Sequence, residues 1–309
     1  MRVLFYGTPA FALPTLHALL DRHTVVGVVT QPDRPAGRGQ RLAPPPVKQV
    51  ALERSLPVFQ PARLREPGWA ERLATVEPDV AVVVAFGQIL TRPLLELPAR
   101  GSINVHASLL PRYRGAAPVA WAIIRGEAET GITTFRMDEG MDTGPLLLQR
   151  PLPIGPEETA GELAGRLAEL GAAVLLETLD RLDRLTPVPQ DHAAATLAPR
   201  LRKEDGALDW TRPAAELAAR VRGVNPWPGA ATSGPTGRLL IWRARGRAGA
   251  GEPGVLTQAE DVLGIGTGAG LLEPLEVQPE SRRVMPWSTF LHGARLRPGA
   301  VFGDHVRAR

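Results

Sequence analysis

With 309 residues, 44% hydrophobic and 22% charged, the chain has the composition of a globular protein long enough for two domains. It contains no cysteine, which excludes disulfides, cysteine-ligated zinc and thiol nucleophiles. The net charge of +4 lies wholly in residues 201–309, because residues 1–200 balance, and a mildly basic last third suits a polyanionic partner.

Residues 2–6, RVLFY, read as a buried strand, followed by the turn Gly7-Thr8-Pro9, an apolar helix over 11–21 and a second strand over 25–30. This β-α-β opening with continuous apolar strands predicts a parallel sheet covered on both faces. The chain starts on that strand rather than on a signal peptide, and no apolar run approaches a membrane span, so a cytoplasmic protein is expected. Gly7 lacks the further glycines of a dinucleotide cradle. The later run 264–269, GIGTGA, precedes a strand-like segment and reads as a hairpin turn, so a nicotinamide-dependent dehydrogenase is rejected.

Residues 31–48, QPDRPAGRGQRLAPPPVK, hold five prolines and two glycines and are expected to lack regular structure. Arg34, Arg38, Arg41 and Lys48 stand there against Asp33 alone. Two readings compete: a solvated surface loop, or a phosphate-contacting arm that orders on nucleic acid, with Arg38 at its tip. The arm is favoured, because the segment is long for a connection in an α/β sheet.

A further buried strand over 79–86 ends at Gly87-Gln88-Ile89-Leu90, where the Gly either makes a plain strand-to-helix turn or lets a flat ligand lie against the backbone at a strand's carboxyl end. The stretch 101–144 follows. Asn104 and His106 stand two apart on a short strand and leave the same face of the sheet. The chain then breaks at Pro111, passes through a helix and a strand, and ends in a Gly-rich acidic turn with Asp138 and Asp142. An amide to donate to an oxyanion, an imidazole to shuttle a proton and a carboxylate to orient it are the parts for moving an acyl group onto an amine. The other reading is a strand-end His and a turn Asp that satisfy only local hydrogen bonds.

Beyond Gly144 come another strand, a long amphipathic helix over 157–185 that covers the sheet, and a Pro-containing linker over 186–202 in which His192 is expected to be solvated. A helix over 213–222 precedes about five short strands with Gly turns, which suggest a small barrel. Alternation in 240–245 sets Arg243 and Arg245 on one face, opposite Trp242. That face suits phosphates about as well as it suits a solvated barrel wall.

The segment Asn104–Gly115, N-x-H-x-S-L-L-P-x-Y-R-G, and the turn Met137–Gly144, M-D-x-G-x-D-T-G, make the chain resemble the folate-dependent formyltransferase superfamily over nearly its whole length. The 31–40 loop, the stretch LAPRLRKEDGALDW and the N-P-W-P segment of VRGVNPWPGA favour its methionyl-tRNA formyltransferase branch. Ala107, where the family commonly has Gly, and Phe86, where Tyr is common, depart from the pattern but keep size or aromatic character.

The resemblance implies a Rossmann-like catalytic domain over 1–185, a linker over 186–202 and an OB-like β-barrel over 203–309. It implies formyl transfer from 10-formyltetrahydrofolate to the methionine amine of initiator tRNA by Asn104, His106 and Asp142. Phe86, Gly87, Gln88, Ile89, Leu90, Ser108, Leu109, Leu110 and Pro111 would line the folate pocket. Arg34, Arg38, Arg41, Lys48, Arg243 and Arg245 would meet tRNA. No metal is expected, and a monomer is the default. The nearest rival is an amino-sugar nucleotide formyltransferase with the same trio, which would not need the basic insertion. A non-catalytic RNA-binding protein is a rival of a different class.

Overall fold

The structure, a computed structural model, describes residues 1–36 and 41–303. The chain runs β1 (Arg2–Gly7), α1 (Leu13–Arg22), β2 (Thr24–Val29), β3 (Arg34–Ala36), β4 (Arg41–Ala43), α2 (Pro46–Glu53), β5 (Val58–Phe59), α3 (Trp69–Ala74), β6 (Val80–Val84), α4 (Arg92–Glu96) and β7 (Ser102–His106). It continues through α5 (Pro118–Ile124), β8 (Glu129–Arg136), β9 (Leu146–Pro153), α6 (Ala160–Asp180), α7 (Ala214–Gly223), β10 (Ala230–Gly234), β11 (Gly237–Arg247), β12 (Leu256–Ala259), β13 (Val262–Gly266), β14 (Leu271–Pro279), β15 (Met285–Pro286) and α8 (Trp287–Gly293).

Two compact units result. The first holds residues 1–118, 129–153 and 164–199; the second holds 119–128, 154–163 and 200–309. In the first, seven strands form one sheet in the order β5-β2-β1-β6-β7-β8-β9. The pairs from β5 to β7 are parallel, as the sequence suggests, but β7–β8 and β8–β9 are antiparallel. The sheet is therefore mixed rather than parallel. Buried residues of both parities explain the unbroken apolar strands: Leu4, Tyr6, Ala81 and Val83 join one core cluster, while Val3, Phe5, Val80 and Val82 are buried as well.

Two local expectations need revision. Residues 31–48 are not without regular structure, since β3 and β4 pair antiparallel and α2 starts at Pro46. A proline there needs no amide donor, because the first turn of a helix leaves its N–H groups unpaired anyway. The long helix is shorter than 157–185. Thr159 and Glu162 bond reciprocally at its start, with the Thr159 N–H donating to Glu162 Oε2 at 2.8 Å and the Glu162 N–H to Thr159 Oγ1 at 3.3 Å. Within residues 186–199, Leu146 and Val188 exchange backbone bonds at 2.8 and 2.9 Å, and the Ala198 N–H donates to Arg114 O at 2.7 Å.

In the second unit the antiparallel order is β10-β11-β14-β13-β12, with β15 on β14, so the strand order ends at β10 and β12. Its core gathers Trp210, Leu217, Val221, Leu239, Ile241, Val277, Trp287, Phe290 and Phe302. The 264–269 run closes the β13–β14 hairpin as expected. The alternation along β11 fails between Ile241 and Ala244, where the register with β14 shifts by one residue and shifts back, leaving Trp242 on β11 and Leu275 on β14 unpaired in the register between them. Trp242 is not among the buried residues of the core cluster and donates its indole N–H to Gln278 Oε1 at 3.0 Å.

Candidate active site

The carboxyl ends of β6 and β7 position the first groups. On β7, Val105 faces α6, where a side chain at Gly171 would meet it. By the two-residue period Asn104 and His106 leave the opposite face. Asn104, half-buried, is paired in register with Val83 on one side and Phe135 on the other. His106 is 7% exposed; its Nε2 lies 2.9 Å from Tyr113 O and its Nδ1 lies 3.7 Å from Asp142 Oδ2. A carbonyl only accepts, so Nε2 carries the proton, and Nδ1 is the atom turned to the carboxylate.

Asp142 stands in the acidic turn between β8 and β9, and its Oδ2 accepts the Gly115 N–H at 2.8 Å. Tyr113, at φ +62, and Asp142, at φ +55, both hold left-handed backbone conformations that side chains disfavour. Asp138, the other acid of the turn, is used locally, accepting from Gly140 N–H at 3.1 Å and Thr143 Oγ1 at 2.7 Å. The structure thus brings His106 and Asp142 together across 36 positions and leaves Asp138 as a turn residue.

At the β6 end, Phe86 is buried edge-on against Tyr6, ring centroids 5.4 Å apart, and its carbonyl accepts from Thr8 Oγ1 and Gln31 Nε2. Gly87 is at φ +82. The Gln88 amide ties down residues 61–64, accepting Leu64 N–H at 2.7 Å and donating to Pro61 O at 3.0 Å. Ile89 is 80% exposed, whereas Leu90 lies in the apolar core. In the Ser108–Pro111 segment, Ser108 donates to Arg112 O at 2.6 Å, and Thr133 Oγ1 both donates to Ser108 O and accepts the Leu110 N–H. Leu109 and Pro111 are half-buried, and Gln149 Nε2 donates to Leu110 O at 2.8 Å.

Of the six cations assigned to tRNA, Arg38 lies outside the described residues, as does the Arg41 side chain. Lys48 donates to Asp33 at 2.8 Å; the Gln60 amide and the Lys48 ammonium hold that carboxyl below its usual range. Arg34 is exposed and bonded to Gln31 Oε1. Arg243 is ion-paired with Glu162 and Glu276, and Arg245 with Glu157, all within the second unit.

Sequence reasoning missed Arg114 and Gln190. Both are buried, with Arg114 reaching Gln190 Oε1 at 2.6 Å. The His192 ring is exposed, as expected, but its Nδ1 lies 3.1 Å from the same guanidinium. A buried-side-chain requirement at 190 has no signature in a stretch without periodicity. Among the described residues, no group of three or more His, Cys, Asp or Glu is set to hold a metal, and no helix is long and apolar enough to cross a membrane.

The family model described as "Formyl transferase" matches residues 1–179, and that described as "Formyl transferase, C-terminal domain" matches 200–295. The chain is 50% identical over 307 residues to a protein of Citrifermentans bemidjiense named methionyl-tRNA formyltransferase, covering 98% of this chain and 96% of that one. A protein of Geobacter sulfurreducens with the same name is 49% identical over 308 residues, covering 98% and 97%. Among solved structures, HypX from Aquifex aeolicus in complex with tetrahydrofolic acid superposes with a TM-score of 0.63 at 19% identity, covering 94% of this chain and 47% of that one. With both family domains matched in order and identity near one half along its length, the chain belongs to the formyl transferase family.

Proposed function

We infer that this protein transfers a formyl group from a formyl-tetrahydrofolate to the amino group of methionine on initiator methionyl-tRNA, the reaction that its full-length relatives are named for. The 10-formyl isomer is the donor in this reading, since its N10 can leave as a neutral amine. The observation that carries the chemistry is the approach of His106 Nδ1 to Asp142 Oδ2, with Asn104 on the same face of β7.

The amine nitrogen attacks the formyl carbon, forming a C–N bond and a tetrahedral oxyanion to which the Asn104 carboxamide donates. The bond from that carbon to N10 then breaks. The proton lost by the attacking amine reaches N10 through His106 Nδ1, while Nε2–H stays on the Tyr113 carbonyl. The Tyr113 carbonyl fixes Nε2–H, and Asp142 orients the ring and stabilises it while Nδ1 carries the proton in transit. The 3.7 Å separation exceeds a hydrogen bond, and one forms across it only when Nδ1 carries a proton.

The positively φ-turned Gly87 and the neighbouring backbone of 86–90 and 108–111 read the amide-like edges of the pterin. Arg34, Arg38, Arg41 and Lys48 form an arm on the tRNA phosphates, and Arg243 and Arg245 join them by exchanging carboxylate partners for phosphate. The division into 1–185, a 186–202 linker and an OB-like 203–309 domain, acting as a monomer, completes the reading.

The test is transfer of labelled formyl from 10-formyltetrahydrofolate to methionyl-initiator tRNA by the wild type, His106→Ala and Asn104→Ala. Label is expected on the tRNA with the wild type and absent with His106→Ala. Asn104→Ala should lose about 10²–10³ in rate, as removal of an oxyanion donor does. Near-normal turnover by folded Asn104→Ala would remove its assigned role. Unlabelled tRNA despite folate binding by the wild type would move the acceptor to an amino-sugar nucleotide.

A further inference from the structure

Gln190 is 6% exposed, and both ends of its amide are used. Its Nε2 donates to Asp142 O at 2.9 Å and to Gly144 O at 2.7 Å, while Oε1 accepts from the Arg114 guanidinium at 3.2 and 2.6 Å. Arg114 precedes Gly115, whose N–H donates to the Asp142 carboxylate. These bonds close a ring: Asp142 carboxylate, Gly115, Arg114, Gln190 and back to the Asp142 carbonyl. Asp142 sits at φ +55, a conformation that persists only where its surroundings over-determine it. The His106–Asp142 gap of 3.7 Å is just outside bonding range, so a small displacement of the turn decides whether it closes.

We propose that Gln190 is a positioning residue for formyl transfer: its carboxamide, backed by Arg114, fixes the Asp142 backbone so that the carboxylate faces His106. The proposal rests on the reading of His106 and Asp142 given above. The site demands two donors on one side and an acceptor for a cation on the other, which a carboxamide meets. A Glu at 190 would set negative charge against two carbonyl oxygens; a Met would keep the length and offer no donor.

The experiment is a double-mutant cycle on the full-length enzyme with folate donor and methionyl-tRNA, reading kcat and KM for wild type, Gln190→Met, Asp142→Asn and the double variant. Gln190→Met is expected to lower kcat about 10- to 10²-fold, the scale of an ångström-sized misplacement, with KM for tRNA within about two-fold. Added to Asp142→Asn it should cost less than about three-fold more, because it acts through the carboxylate already removed. If the two losses multiply, Gln190 serves the fold alone and the proposal is overturned; Gln190→Met at full turnover overturns it equally. Full turnover by Asp142→Asn would instead remove the underlying reading of the His–Asp pair, and the proposal with it. If Gln190→Met does not fold, Gln190→Glu, which keeps an oxygen on Arg114 and loses the donors, takes its place in the cycle with the same expectations.

Discussion

Gly115 closes the Asn104–Gly115 motif, and the reason lies in two constraints that Gly115→Ala would break. Its φ of +120 is a region that side chains avoid, at a cost of about 1–3 kcal/mol. A Cβ there would also stand 2.7 Å from Ala198 O and 3.3 Å from Ala198 C, so backbone rather than a flexible side chain has to yield. Ala198 is itself held by its N–H on Arg114 O at 2.7 Å, leaving the clash to be relieved by movement of 114–116. That movement lengthens the 2.8 Å bond from Gly115 N–H to Asp142 Oδ2. A destabilisation of about 2 kcal/mol follows from the strain, equivalent to a melting shift of about 5 °C for a unit of this size. Loss of carboxylate alignment lowers kcat by a further 10- to 10²-fold at temperatures where the variant is folded. Thermal melting by circular dichroism and steady-state formyl transfer read the two effects separately. Unchanged melting together with kcat within two-fold of wild type would refute the argument, since neither backbone strain nor the carboxylate bond would then matter.

Three further outcomes are expected. Arg38→Ala should weaken tRNA use and reduce the slope of log affinity against log salt by about 1, leaving transfer to a small amine unchanged; equal loss on both acceptors would count against the arm. Glu162 is held down to about 2 by the Thr159 backbone N–H first and by Arg243 next. A depressed carboxyl stabilises fully above its unfolded value of about 4.3, and that stabilisation fades as pH falls toward 2. Glu162→Gln should therefore be less stable than wild type in urea at pH 7, by under about 1 kcal/mol because both partners are partly exposed, with the gap narrowing from pH 5 to pH 3. A gap independent of pH would assign the effect to something other than the charge. Gly165→Ala places a methyl on an exposed position of α6 with no atom within 4 Å, and should stabilise by about 0.5–1 kcal/mol without altering turnover; a lower melting temperature would contradict it.

The β-α-β opening, the strand bearing Asn104 and His106, and the Gly-rich turn bearing Asp142 are legible in the residues alone, because each is written in a short period or in a turn residue with a local physical meaning. Strand pairing is different. That β8 and β9 run against β7 depends on which strands meet across the sheet, and period-2 burial looks the same in either direction. The register shift in β11 is likewise a matter of pairing with β14, invisible in the alternation of residues 239–245. The spacing alone leaves Asp138 and Asp142 equivalent and the resemblance implies Asp142; in the fold one carboxylate turns back on its own backbone and the other lies nearer the imidazole. Furthest from view was the role of residues 186–199. They lack periodicity because their bonds run to segments far away along the chain, with Gln190 reaching Arg114, Asp142 and Gly144. Only tertiary structure creates such contacts, since a buried amide selects its partners by their placement in space and not by their spacing along the chain.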